Sequence, residues 1–293
     1  MIYQFICFLK RGGIFFLSLC LPFLGICADR QYALTADPID VVIPCAEKDV
    51  KTLDPCIEGI KKNGVNIRRV IVVSKTRLTD KAEWFNEADY PFNKLDLATI
   101  IYGSEQEALN HRNEWDRIGW ILQQLLKLYA PLVIPGISPN VLVLDSDAIF
   151  LNRVEFLSAS NGPLFSVGGE WHEPYFIHGA KLIPGLKRLY PEYSGIAHHM
   201  LLQKSIIEDL FQLITSTHDM EPWRAYCKCI KRENLYYAPC SEYEIYFNYT
   251  LARTTQAQVR KLKWDNISYL SQVEKFQLLG YHYIAAHSWE RRE

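Results

Sequence analysis

The stretch that decides the fold is Val141-Leu142-Val143-Leu144-Asp145-Ser146-Asp147. Four consecutive apolar residues predict a strand that is buried on both faces of a sheet. Two carboxylates, one residue apart, follow this strand at once. In extended chain they would point to opposite faces, but a turn can direct both to one place. The stretch therefore predicts a buried strand that delivers Asp145 and Asp147 to its carboxyl end.

Similar apolar runs lie earlier in the chain. Residues 40–44 and 70–73 are predicted strands, and residues 96–102 are predicted to form another strand. Residues 50–62 and 118–130 carry apolar side chains at helical spacing. This alternation predicts an α/β fold with a mixed, mainly parallel sheet and helices on both faces.

The domain organisation follows from this pattern. No Gly-, Ser- or Pro-rich linker interrupts the chain, so we expect one domain over residues 38–290. Its regular half covers residues 38–150, and residues 151–290 are richer in aromatic, His and Gly residues. In open α/β sheets ligands bind beyond the carboxyl ends of the strands, which places residues 45–49, 74–75 and 145–147 on one rim.

Composition excludes several classes of protein. The 293 residues are 49% hydrophobic, which excludes a disordered chain. The formal net charge of -1 argues against a nucleic-acid-binding protein, which would usually be basic. Beyond residue 28 the chain has five cysteines, and an odd number does not make a complete disulfide framework. We interpret them as small semi-buried thiols, with pairing or metal binding by Cys227, Cys229 and Cys240 as the alternative.

The amino-terminal residues 1–28 predict export. Lys10 and Arg11 precede an apolar run over residues 14–28, as in a secretory signal peptide. The run is short for a membrane span, and Pro22 would disturb a spanning helix. The alternatives are an uncleaved anchor, which would associate the protein with a membrane through residues 1–28, and a segment with neither role. The predicted localisation is exported or membrane-anchored.

The paired carboxylates predict a metal site. Hard divalent cations such as Mg²⁺ and Mn²⁺ favour oxygen ligands. The alternative is a structural turn or helix cap, because Asp and Ser favour both. The sequence has no Gly-rich phosphate loop, so a nucleotide site would have to rely on the metal.

A family resemblance extends this interpretation over roughly residues 38–290. The strand followed by Asp-Ser-Asp-Ala-Ile-Phe-Leu, the earlier Ile43-Pro44 and the late His287-Ser288-Trp289 resemble the GT-A nucleotide-sugar glycosyltransferases. The segments around Gly119-Trp120, His198-His199-Met200 and Ser241-Glu242-Tyr243-Glu244 look like a bacterial branch of that superfamily. The resemblance implies a GT-A-like fold with a nucleotide and metal half before residue 150 and an acceptor half after it.

The resemblance also implies roles for individual residues. Asp147 would be a metal ligand, and Asp145 would bind the metal or the ribose and sugar hydroxyls. His287 would be a third ligand or a partner of the diphosphate. Further donor contacts are expected from the following residues: Pro44, Cys45, Ala46 and Asp49 around the base and ribose, and Gln124 and Lys127 on the preceding helix.

Two residues are candidates for the acceptor side. Glu242 is the predicted base that takes the acceptor proton, since inverting transfer needs such a group. The alternative for this segment is a helix start, because Ser241 and Glu244 have the spacing of a capping box. The second candidate is the His198-His199 pair, from which His199 is selected, and its alternative is packing or a buried hydrogen bond.

The function implied by these residues is metal-dependent glycosyl transfer. The cofactor would be Mn²⁺ or Mg²⁺, the donor a nucleotide-sugar, and the acceptor a saccharide, lipid or protein. One alternative is a catalytically silent carbohydrate-binding or scaffold protein on the same fold. Another is a metal-dependent hydrolase or nucleotidyltransferase, in which paired Asp residues also hold a cation.

Overall fold

The computed structural model describes residues 29–292. The predicted export signal over residues 1–28 lies outside the described residues and stays a prediction. No helix within residues 29–292 combines the length and the apolar character needed to cross a membrane.

The strands form one central sheet and two small ones. In chain order they are β1 (Ile39–Pro44), β2 (Ile67–Ser74), β3 (Glu83–Asn86), β4 (Asn140–Leu144), β5 (Ala148–Phe150), β6 (Leu164–Ser166), β7 (His199–Gln203), β8 (Gln258–Arg260), β9 (Trp264–Asn266) and β10 (Tyr283–Ala285). The central sheet has the order β3-β2-β1-β4-β7. Its first four strands are parallel, and β7 pairs antiparallel with β4.

The α-helices lie between these strands. In chain order they are α1 (Val50–Asn63), α2 (Lys94–Tyr102), α3 (Glu105–Asn110), α4 (Trp115–Val133), α5 (Glu173–Leu182), α6 (Lys204–His218), α7 (Pro222–Cys229), α8 (Glu242–Arg253) and α9 (Val273–Leu278).

Helices cover both faces of the central sheet because side chains alternate along each buried strand. On β1, Val41 and Ile43 pack into one apolar cluster with Leu53 and other side chains of α1. Val42 points the other way, into a second cluster with Ile121 of α4 and with α6 and α8. The predicted fold class, a mixed and mainly parallel α/β sheet with helices on both faces, is confirmed.

The prediction of a strand at residues 96–102 is wrong, because this segment is helix α2. Asn93 caps the helix by accepting from the backbone of Leu95 and Asp96, and Asp96 accepts from the Asn93 backbone at 2.9 Å. Gly103 then ends the helix at a φ of 92°. Two reciprocal caps stabilise a helical start that the apolar content alone does not reveal. The fourth parallel strand of the central sheet is instead β3, a half-exposed strand at the edge of the sheet.

A small sheet brings the end of the chain to the Asp-Ser-Asp turn. Its order is β5-β10-β9, and Ala285 of β10 stands opposite Ala148 of β5. The Ala286 N–H donates to the Asp147 carbonyl at 3.0 Å. This pairing fixes His287 beside Asp147, although 140 residues separate them.

The cysteines of the described chain are buried and unpaired. Cys45, Cys56, Cys227, Cys229 and Cys240 form no disulfide with one another. Burial raises the pKa of Cys45 to about 12, so its thiol stays protonated at neutral pH. The interpretation as packed thiols agrees with these positions.

Candidate functional site

The candidate site is a cavity of about 850 Å³ at the carboxyl ends of β1, β2 and β4. Its position is the one at which parallel α/β sheets bind ligands. All but one of the residues selected from the sequence line it: Pro44, Cys45, Ala46, Asp49, Gln124, Lys127, Asp145, Asp147, Glu242 and His287. The exception is His199.

Three side chains in the cavity wall converge as a candidate metal site. One ligand atom from each of Asp147, His198 and His287 lies within 4.8 Å of the others. The His287 Nδ1 and the Asp147 Oδ2 are 2.8 Å apart. Burial by itself would lower the pKa of His287, but the hydrogen bond with Asp147 raises the pKa above its usual value.

Two polar atoms of this group have no partner among the described residues. They are the Asp147 Oδ1 and the His198 Nε2, and both are buried. Buried polar atoms nearly always form a hydrogen bond or bind a ligand. A carboxylate with two imidazoles is also a common ligand set for a divalent cation. The residues present therefore fit a metal ion.

The sequence prediction selected the wrong member of the His198-His199 pair for the cavity. His199 begins β7, and its ring packs among Phe150, Phe156 and Tyr283. Its Nε2 contacts the Ser166 hydroxyl at 3.0 Å, and burial lowers the pKa of the ring to about 3. The structure thus places His199 in the core as a neutral side chain, away from the cavity.

His198 is the member of the pair that lines the cavity. Its φ of 58° is unusual for a bulky residue, and the residue lines the cavity, whereas the His199 ring packs in the core. Its ring lies nearly perpendicular to that of Trp264, with the centroids 5.0 Å apart. The only sequence signal for this role was the adjacent pair itself. Neighbouring side chains on a strand point to opposite faces, so the position of β7 to within one residue decides which ring faces the cavity.

A buried charge cluster borders the metal site. The Lys127 Nζ lies 2.5 Å from Asp145 Oδ1, 2.7 Å from Glu242 Oε1 and 3.2 Å from the Tyr243 hydroxyl. The other oxygen of Asp145 lies 3.6 Å from the His198 Nδ1. Asp145 therefore contacts the protein through both oxygens and is not one of the three converging residues.

These contacts shift the protonation equilibria of the cluster. Burial would lower the pKa of Lys127, but Asp145 and Glu242 raise the pKa well above its usual value. Burial would raise the pKa of Asp145, but Lys127 and His198 hold it far below its usual range. For Glu242, burial raises the pKa and Asp145 adds to the effect, while Lys127 offsets part of it.

The start of α8 positions Glu242. Ser241 caps the helix by accepting from the Glu244 backbone at 3.2 Å, as the capping-box spacing indicated. The Glu244 side chain does not complete the box, because it accepts from Ser194, from the Gly195 N–H and from Asn248. Glu242 is the neighbour that faces the cavity.

Gln124 lines the cavity, but its amide group is used within the protein. Its oxygen accepts from the Tyr226 hydroxyl at 2.5 Å and from the Glu242 backbone at 3.2 Å. Its nitrogen donates to the Cys240 carbonyl at 3.3 Å. Gln124 therefore fixes the position of α8 against α4.

Three lysines stand at the rim of the cavity, among carboxylates that include Glu47, Glu87 and Asp116. Lys48, Lys75 and Lys94 line it, and none has a carboxylate oxygen within 4.0 Å among the described residues. Burial lowers the pKa of Lys94; Asp116 and Glu87 offset part of that shift, and repulsion by the other two lysines adds to it. Unpaired ammonium groups around a cavity favour an anionic ligand.

Residues 65–277 match the family described as "Family of unknown function (DUF6492)", and the chain belongs to that family. No curated protein matches the chain. The chain is similar to the solved structure of mouse xyloside xylosyltransferase 1 in its apo form, with 10% sequence identity and a TM-score of 0.41. That similarity covers 85% of this chain and 97% of the mouse chain.

Proposed function

We propose that this member of the DUF6492 family is a metal-dependent glycosyltransferase. It would move a sugar from a nucleotide-sugar donor to a saccharide, lipid or protein acceptor. The observation that carries the proposal is the convergence of Asp147, His198 and His287 in the wall of the large cavity. The proposal is further supported by the sequence order. The Asp-Ser-Asp turn comes first and His287 comes near the end of the chain, as in the GT-A enzymes that the sequence resembles.

The donor would lie between the metal site and the rim of β1. Pro44 ends β1, and Cys45, Ala46 and Asp49 follow it, at the place that suits the base and ribose. Asp147, His198 and His287 would hold a divalent cation, which would supply positive charge to offset the negative charge that develops on the leaving diphosphate. The unpaired rim lysines would add attraction for the phosphates. The cavity volume is within the range of small-molecule sites, roughly 300–1,000 Å³.

The acceptor side would be served by Glu242. In a transfer with inversion, the acceptor hydroxyl gives its proton to a base while its oxygen forms the new bond to the sugar. The old sugar–oxygen bond breaks, and the nucleoside diphosphate leaves with the electron pair. Burial raises the pKa of Glu242 above its usual value, and a carboxylate with a raised pKa is a stronger base. No catalytic role is proposed for the buried His199.

The test is a transfer assay with the purified protein and Mn²⁺. Nucleotide-sugars with UDP and GDP are incubated with mixed saccharide, lipid and peptide acceptors, and products are measured by mass spectrometry. The proposal predicts an acceptor whose mass rises by one sugar residue. Asp147→Asn should abolish the product, whereas Asp265→Asn, an exposed carboxylate on β9, should leave it unchanged.

Other outcomes would support the alternative functions instead. Free sugar and nucleotide without any glycosylated acceptor, across all acceptor classes, would indicate a hydrolase. Nucleotide-sugar binding with no turnover would indicate a silent carbohydrate-binding protein. Transfer that is equal in wild-type protein and Asp147→Asn would contradict the proposed role of the metal site.

A further inference from the structure

The two carboxylates of the Asp-Ser-Asp turn have different surroundings. One oxygen of Asp145 accepts from Lys127 at 2.5 Å and from the Tyr243 hydroxyl at 3.4 Å. Its other oxygen lies 3.6 Å from the His198 Nδ1. By contrast, the Asp147 Oδ1 is buried and has no partner among the described residues. Asp145 is therefore committed to the protein, and Asp147 has an oxygen free for a ligand.

The His198 ring is held in one orientation. The Asp145 N–H donates to the His198 carbonyl at 2.9 Å, which ties the two segments together. Trp264 and Tyr283 pack against the ring. The left-handed backbone at His198 costs free energy, and such conformations persist where the surroundings enforce them. With Nδ1 towards Asp145, the unpartnered Nε2 is the ring nitrogen left to bind a metal ion.

We propose that Asp147, His198 and His287 form a metal site with two histidines and one carboxylate, and that Asp145 is not a ligand. Asp145 is a positioning residue that orients His198, as carboxylates commonly do for metal-bound imidazoles. The presence of a divalent cation rests on the proposed function. The division of roles between the two aspartates goes beyond it and departs from the sequence prediction, in which both bind the metal.

The donor set also sets the metal preference. Two imidazole nitrogens favour transition metals such as Fe²⁺ or Zn²⁺, and the carboxylate beside them also suits Mn²⁺, whereas Mg²⁺ prefers oxygen ligands and water. We expect Mn²⁺ to bind the protein without nucleotide, and a large excess of Mg²⁺ to displace it poorly.

The test is pulsed electron paramagnetic resonance of Mn²⁺ bound to the full chain, which counts the coordinated nitrogens. The wild-type protein should show two histidine nitrogens, and His198→Gln should show one. His282→Gln is the matched control, because His282 lies outside the converging group, and it should retain two. Asp145→Asn should retain two nitrogens with Mn²⁺ affinity weakened about 10- to 100-fold by titration calorimetry.

Several results would overturn the inference. One is a single nitrogen in the wild-type spectrum, which requires no variant to fold. Another is loss of the Mn²⁺ site in Asp145→Asn together with its retention in His198→Gln. A failure to bind Mn²⁺ at all also overturns it. A two-nitrogen Mn²⁺ site in a protein that binds no nucleotide would uphold this inference while removing support for the proposed transferase.

Discussion

Replacing Lys127 by methionine tests the buried charge cluster. Lys127 is 3% exposed and lies between Asp145 and Glu242, so the three side chains together carry one net negative charge. Lys127→Met keeps a long apolar stem but leaves two buried carboxylates without their cation. Removing one partner of a buried ion pair typically destabilises a protein by about 3–5 kcal/mol.

That loss is large compared with the whole stability of a domain, which is about 5–15 kcal/mol. At roughly 2–4 °C for each kcal/mol in a domain of this size, the melting temperature should fall by about 6–20 °C. Urea unfolding at pH 8 gives the free energy directly. Lys62→Met, an exposed lysine on α1, is the control and should change stability by less than about 0.5 kcal/mol.

The loss should depend on pH in a definite direction. Burial already raises the pKa of Glu242, and without Lys127 that pKa rises further. A carboxyl group with a raised pKa in the folded state contributes stability at low pH and loses it as pH rises through that pKa. The difference between wild type and variant should therefore be largest at pH 8 and should shrink at pH 5.

A double variant separates charge from packing. Lys127→Met with Glu242→Gln restores one net negative charge, so it should recover at least half of the lost stability. A loss below about 1 kcal/mol at pH 8, an equal loss at pH 5, or a double variant no more stable than the single one would refute the reasoning.

Three further predictions concern the rest of the chain. Burial opposes ionisation of Asp209, but hydrogen bonds from Arg253, Tyr32 and Tyr249 lower its pKa to about 2. Asp209→Asn should therefore lower the free energy of unfolding by about 2 kcal/mol at pH 7, measured by urea unfolding. The wild type should lose stability between about pH 4 and 2, and the variant should lose less over that range. His199→Gln should lower the melting temperature while Mn²⁺ affinity in calorimetry stays within about twofold, and weaker binding at unchanged stability would contradict its assignment to the core. Asn93→Ala removes the cap of α2 and should cost about 1 kcal/mol in urea unfolding, and an unchanged midpoint would show that the cap does not matter.

Short apolar runs were sufficient to predict β1, β2 and β4, because strands that are covered on both faces have few polar side chains. The same criterion failed at residues 96–102. There the apolar residues also match one face of a short helix, and the polar caps at Asn93 and Asp96 determine the outcome.

The site was predicted partly from local pattern and partly from family resemblance. The Asp-Ser-Asp turn follows from the strand before it, whereas the place of His287 came from the resemblance. Its contact with Asp147 depends on the pairing of β10 with β5, which no local signal reveals. The Lys127 contact with Glu242 spans 115 residues and depends on the packing of α8 against α4. Such long-range contacts are set by tertiary structure, so spacing along the sequence cannot predict them.

The most direct test of the proposed function is calorimetric titration of the protein with UDP and GDP, each with and without Mn²⁺. One of these nucleotides should bind only when Mn²⁺ is present, and Asp147→Ala, which removes a proposed ligand, should lose this binding. Binding that is equally strong without metal, or unchanged in Asp147→Ala, would contradict a nucleotide site organised around Asp147, His198 and His287.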